Sequence, residues 1–197
     1  MFNSLRARLA RTLLFVGAAG LALGTAACTT DAPTGLSPQV LSFDKPGDGN
    51  PGLNPEVTAL SWRKAATART VSAVIGKNGG ELRIPSGARL IVPPGAVSGN
   101  VTFRVTQVAG SIVAHDFEPH GIRFAVPLSF VLPTGDTNFG NFENPLVRGA
   151  YYKDAGQLDQ KRGRVFVDEF RPTFTSADKN WITFSIDHFS GYIVAMD

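Results

Sequence analysis

Six consecutive residues, His115-Asp116-Phe117-Glu118-Pro119-His120, gather four potential metal ligands. On an extended chain Asp116, Glu118 and His120 share one face, because strand side chains alternate. A zinc site wants three or four such ligands in a tetrahedral array, and Pro119 restricts the local backbone. The competing expectation is a strand-to-turn segment, with Phe117 in the core and the polar residues in water. Further on, His188 and Ser190 place an imidazole and a hydroxyl on either side of Phe189. Phe139, Phe142, Tyr151 and Tyr152 flank a Gly/Asn-rich stretch, residues 135–144. Aromatics on the loops of a rigid scaffold bind sugars or proteins, or they cap one end of the core.

Other combinations fall short of a motif. Asp44, Asp48, Asn50 and Asn54 suggest Ca²⁺, but their spacing is not that of an EF-hand loop and no Glu closes it. Ser61-Trp62-Arg63-Lys64 has the bare Ser-x-x-Lys spacing of penicillin-binding enzymes without their companion motifs. There is no Gly-x-Ser-x-Gly, no phosphate loop and no dinucleotide fingerprint. Asp168 and Glu169 point to opposite faces of an extended chain, which suits a solvated edge better than a shared cleft. No cofactor is expected.

The elements that must position these residues read as strands. Leu82 and Ile84 alternate with Glu81 and Arg83, and Leu90 and Val92 flank Ile91. Val101, Phe103 and Val105 alternate with polar neighbours. Ile122, Phe124, Val126, Leu128, Phe130 and Leu132 form the longest run at spacing two. Ile182, Phe184 and Ile186 repeat the pattern, and Tyr192, Val194 and Met196 close the chain. Gly79-Gly80, Pro93-Pro94-Gly95, Ser98-Gly99-Asn100 and Pro133-Thr134-Gly135 punctuate the runs as turns. Short alternating strands between such turns predict an all-β, antiparallel β-sandwich over residues 61–197. No amphipathic helix of ordinary length is expected in it. Residues 29–60 hold five Pro, four Gly and one aromatic, Phe43, and read as a flexible tether, with residues 57–69 a short helical or extended lead-in to the domain. Trp62 is expected to dock onto the domain.

The first 27 residues carry Arg6, Arg8 and Arg11, then an apolar run from Thr12 to Leu23, then Gly24-Thr25-Ala26-Ala27. This is the layout of a secretory signal peptide, and the apolar run is too short to span a bilayer. Ala26-Ala27-Cys28, with the only cysteine of the chain, resembles the bacterial lipoprotein signal. Thr25 departs from it, since Leu, Val or Ile is commoner there. The resemblance implies cleavage before Cys28, acylation of its thiol and amine (palmitate among the chains), and anchoring in the cell envelope. An ordinary signal peptide cut nearby is the alternative. Two or three acyl chains meet the requirement for stable anchoring. Thr29 after Cys28 is compatible with the outer membrane.

Several segments also resemble the ZU5 domain family. They are Ile75-Gly76, Gly79-Gly80, Leu82-Arg83-Ile84-Pro85 and Leu90-Ile91-Val92-Pro93-Pro94-Gly95-Ala96. Phe117-Glu118-Pro119, Gly121, Phe124, Pro127-Leu128 and His188-Phe189-Ser190-Gly191-Tyr192 complete the set, over roughly residues 70–197. The resemblance implies a β-sandwich that binds partner proteins. For some members it implies self-cleavage between Phe and Ser: Ser190 Oγ would attack the Phe189 carbonyl while His188 takes its proton, and water would hydrolyse the ester. The favoured alternative is that His188 and Phe189 close a strand, with Ser190-Gly191 as a bulge or corner.

Charge excludes one class. The chain has 19 Lys+Arg and 16 Asp+Glu. Three of the basic residues lie in the leader, which holds no acid, so the remainder balances at 16 against 16. Nothing is left to steer nucleic acid. The expectation is an envelope-anchored lipoprotein whose sandwich is a non-catalytic binding or structural module for an unknown protein or glycan.

Overall fold

Alternation of apolar and polar residues builds strands almost throughout residues 54–196, the part that the structure, a computed structural model, describes. The leader, Cys28 and the tether as far as residue 53 lie outside the described residues, and Asp44, Asp48 and Asn50 with them. The first eight strands are β1 (Glu56–Ala59), β2 (Ser61–Ala66), β3 (Arg69–Ile75), β4 (Gly80–Arg83), β5 (Arg89–Val92), β6 (Val101–Gln107), β7 (Gly110–Ile112) and β8 (Ala114–Glu118). There follow β9 (Arg123–Pro133), β10 (Val147–Tyr152), β11 (Leu158–Asp159), β12 (Arg164–Phe166), β13 (Glu169–Arg171), β14 (Thr173–Thr175), β15 (Trp181–His188) and β16 (Gly191–Met196). Two single 3₁₀ turns, Asn138–Asn141 and Ala155–Gln157, are the helical segments among the described residues.

The strands form antiparallel sheets. The larger runs β11-β12-β1-β16-β8-β6-β3, with β10 on the other edge of β16 and β13 beyond β10. The smaller runs β14-β15-β9-β5-β4, and β2 pairs with β7 as a short ribbon. The two larger sheets stack on one aromatic core. Phe117 meets Phe130 edge-on at 5.2 Å, and Phe184 lies 6.0 Å from Tyr192. Leu128, Phe130 and Leu132 of β9, with Ile182, Phe184 and Ile186 of β15, supply the inner face of the small sheet. This is the expected all-β sandwich.

One boundary differs from expectation. The tether was expected to reach Leu60, but β1 already lies inside it. Val57 and Ala59 are buried, and β1 pairs with both β12 and β16. Two alternating apolar residues after Pro55 are too weak a local signal. The strand exists because two distant strands receive it.

That pairing also builds a second apolar cluster on the outer face of the large sheet. Val57, Ala59, Ile112, Ala114, Ala150, Tyr152, Val165, Val167, Ile193 and Ala195 form it. Strand β16 therefore contributes to both clusters, and all six of its residues are buried. Trp62 is buried against the main core, as expected.

Candidate functional site

Cross-strand register lines up a row of polar and aromatic side chains inside the sandwich. Gln107 faces His115, His115 faces Tyr192, Tyr192 faces Tyr151, and Tyr151 faces Glu169. Directly opposed residues project to the same side of a sheet, so the five share the inner face. Two histidines meet this row: His115 as a member, and His188 from the end of β15, 4.8 Å from the Tyr151 ring and 5.9 Å from Tyr192.

His188 lies in an ion cluster. Arg171 is buried and bridges two carboxylates, Glu169 at 2.5 Å and Asp187 at 3.0 Å, while its Nε donates to the Ser185 carbonyl at 3.2 Å. The second oxygen of each carboxylate faces His188 Nε2, both at 3.7 Å. The Tyr192 hydroxyl donates to the His188 carbonyl at 2.8 Å, and burial raises the Tyr192 pKa. The expectation of a solvated edge at Asp168-Glu169 holds for Asp168 alone: Glu169 turns inward to Arg171, and with Asp187 they form a cluster that no recognised motif marks. Asp168 does lie on the opposite face, exposed, accepting from Asn54 and Gln157. The missed signal is Glu169-x-Arg171, two opposite charges at the spacing that shares a strand face.

Phe189 and Ser190 carry the chain from the small sheet to the large one. Phe189 is buried against Phe124, Phe103 and Phe117, at ring distances of 4.8, 5.2 and 5.6 Å. Its N–H donates to Ile122, its carbonyl accepts from the Gly121 N–H at 3.3 Å, and the Ser190 carbonyl accepts from Phe117. The Ser190 hydroxyl donates to the Tyr152 carbonyl at 3.4 Å, and no hydrogen bond joins it to His188. The strand register shifts between Ile186 and His188, so this is an irregular corner. Gly191 is needed for space: a Cβ there would fall 2.3 Å from the Tyr152 ring.

The residues of 115–120 are not brought together. His115 points inward and is buried, while Asp116 and Glu118 lie on the opposite face. Asp116 pairs with His120 at 3.1 Å, but Glu118 turns to Arg104 at 3.3 Å. Among the described residues no group of three or more His, Cys, Asp or Glu is arranged to hold a metal ion. Burial without a charge partner drives the His115 pKa down to about 3, so the ring is neutral. Its Nε2, the Trp62 Nε1 and the Gln107 Oε1 are buried with no hydrogen-bond partner.

The four loop aromatics do not form one exposed patch. Phe139 is buried in the main core and Tyr152 in the outer cluster. Tyr151, next to Tyr152, faces the interior row, because neighbours on a strand alternate. Only Phe142 is exposed. The expected shared binding surface is therefore corrected to three packing residues and one surface residue. Ser61 and Lys64 lie on strand β2, not at a helix start.

No protein-family model and no curated protein matches the chain.

Proposed function

We propose that this protein is an exported lipoprotein, anchored in the bacterial envelope through acylated Cys28, whose ZU5-like sandwich serves as a non-catalytic binding module. The observation that carries this reading is the position of the single cysteine. It directly follows Ala26-Ala27 at the end of a basic and then apolar leader, and it precedes a Pro/Gly-rich stretch. The site geometry supports the non-catalytic half. The Ser190 hydroxyl is engaged by Tyr152, and the His188 ring faces two carboxylates.

Mass spectrometry of the N-terminal peptide, after expression in a Gram-negative host, tests the anchor. Acyl chains on Cys28, lost in Cys28→Ala together with membrane partition, are the expected result. An unmodified thiol with the leader removed elsewhere overturns it.

A second reading is self-cleavage at Phe189-Ser190. The Gly121 N–H donating to the Phe189 carbonyl favours it, because an attacked carbonyl needs a donor where negative charge develops. In that reaction Ser190 Oγ bonds to the Phe189 carbonyl carbon as His188 takes the hydroxyl proton. The C–N bond then breaks, with the proton passing to the Ser190 nitrogen. Water hydrolyses the resulting ester to a Phe189 carboxylate. Intact mass under denaturing conditions decides between the readings. One uncut species supports the non-catalytic module, and two fragments, absent in Ser190→Ala, replace it with the self-processing domain.

A further inference from the structure

At the end of the sandwich where the loops 76–79, 93–100 and 119–122 gather, a pocket of about 550 Å³ opens between the sheets. Its charged lining is entirely cationic, Lys77 and Arg123, with Ser98 also in the lining and Val97, Ile122 and Ala125 as apolar wall. Neither cation has an ion-pair or hydrogen-bond partner for its side chain among the described residues. The acids of β8 and of β15, which pairs with β9 at Arg123, are already engaged: Glu118 by Arg104, Asp116 by His120 and Asp187 by Arg171.

The elements hold this arrangement in place. Lys77 sits in the turn after β3, and its carbonyl accepts from the Gly95 N–H. Gly79 and Gly95 take positive φ there, which lets the two loops turn tightly beside each other. Arg123 opens β9, and the nearby Ala125 N–H donates to the Ala96 carbonyl, tying that strand to the loop 93–100.

We propose that this pocket binds a phosphate-bearing ligand with a short apolar body. The inference rests on the reading of the sandwich as a binding module. Two cations on a concave wall concentrate an anion, and the charge-assisted hydrogen bonds they offer to phosphate oxygens are the strong kind. The apolar wall gains from covering a few methylene groups. A lipid headgroup and a soluble phosphoester share this chemistry.

The test is a titration of the full chain with butyl phosphate, followed by amide chemical shifts. The expected result is a saturable shift of residues 95–99 and 121–125. Lys77→Gln and Arg123→Gln should each weaken binding about tenfold, the loss of one charge-assisted contact. Lys64→Gln, on an exposed stretch of β2, leaves it unchanged. Inorganic phosphate binds several-fold more weakly than butyl phosphate. Competition by phosphatidylglycerol vesicles supports the site with a lipid headgroup as its source, and failure to compete supports it with a soluble ester. Binding that survives both substitutions, or that Lys64→Gln weakens equally, overturns the site. Equal affinity for inorganic phosphate overturns the apolar half. Acylation of Cys28 is measured independently, so either proposal can fail without the other.

Discussion

His115 and His188 both meet the interior row of the large sheet, and their surroundings have little in common. His115 lies deep among Trp62 and Phe130, with ring distances of 6.2 and 4.9 Å, and no charge beside it. His188 lies at the rim, against Tyr151, Glu169 and Asp187, with Arg171 behind the carboxylates. The same side chain is a neutral packing unit in one place and a member of an ion network in the other. Burial alone makes a histidine inert. His188 instead keeps two carboxylates 3.7 Å from its Nε2, so the two ends of the row differ in charge as well as in depth.

Four substitutions or conditions break or sharpen that contrast. Among the substitutions the largest effect belongs to Arg171→Met. It strips Glu169 and Asp187 of their shared cation; Arg171 is buried but both carboxylates reach solvent, so the loss is about 2 kcal/mol, below that of a fully buried pair. Urea denaturation at pH 7 measures it, and the same loss is not expected on replacing the unpartnered His115 by Phe.

Acid comes next, and it acts through His115. Its folded pKa, about 3, lies below the ordinary value of 6.5, so the unfolded chain binds the extra proton first. Stability is fully present above pH 6.5 and falls as pH drops toward 3, by about 1.4 kcal/mol per unit. Urea midpoints at pH 7, 6, 5 and 4 follow it. His115→Phe removes this contribution, whereas His188→Gln keeps it.

Tyr192→Phe deletes the hydroxyl that holds the His188 carbonyl, at a cost of about 1 kcal/mol, read as a Tm lowered by a few degrees. The smallest effect is that of Ser190→Ala. Its long bond to Tyr152 contributes little, so the unfolding free energy from urea denaturation changes by about 0.5 kcal/mol or less. The intact mass differs from wild type by the missing oxygen alone.

The strands most legible in the sequence are those with strict alternation and one dry face. Leu128, Phe130 and Leu132 announce β9, and Ile182, Phe184 and Ile186 announce β15. Strand β1 was hidden because its burial is supplied by β12 and β16, far along the chain. The ion cluster was hidden for the same reason. Glu169 and Arg171 meet Asp187 and His188 only where the large sheet, through β13 and β10, lies against the end of β15. The aromatics of 139–152 misled because composition marks a loop without saying which way a ring turns. Tyr152 turns outward to cover Gly191, and a Cβ at Gly191 would close that space.

Strand β16 sets an order of events. It is the last strand described, yet it occupies the middle of the large sheet, joined to β10 along one edge and to β8 and β1 along the other. Until residues 191–196 have been made, those three strands lack their common neighbour, and both apolar clusters lack the wall that β16 supplies. The sandwich therefore cannot close before residues 191–196 have emerged, however much of the earlier chain has been made.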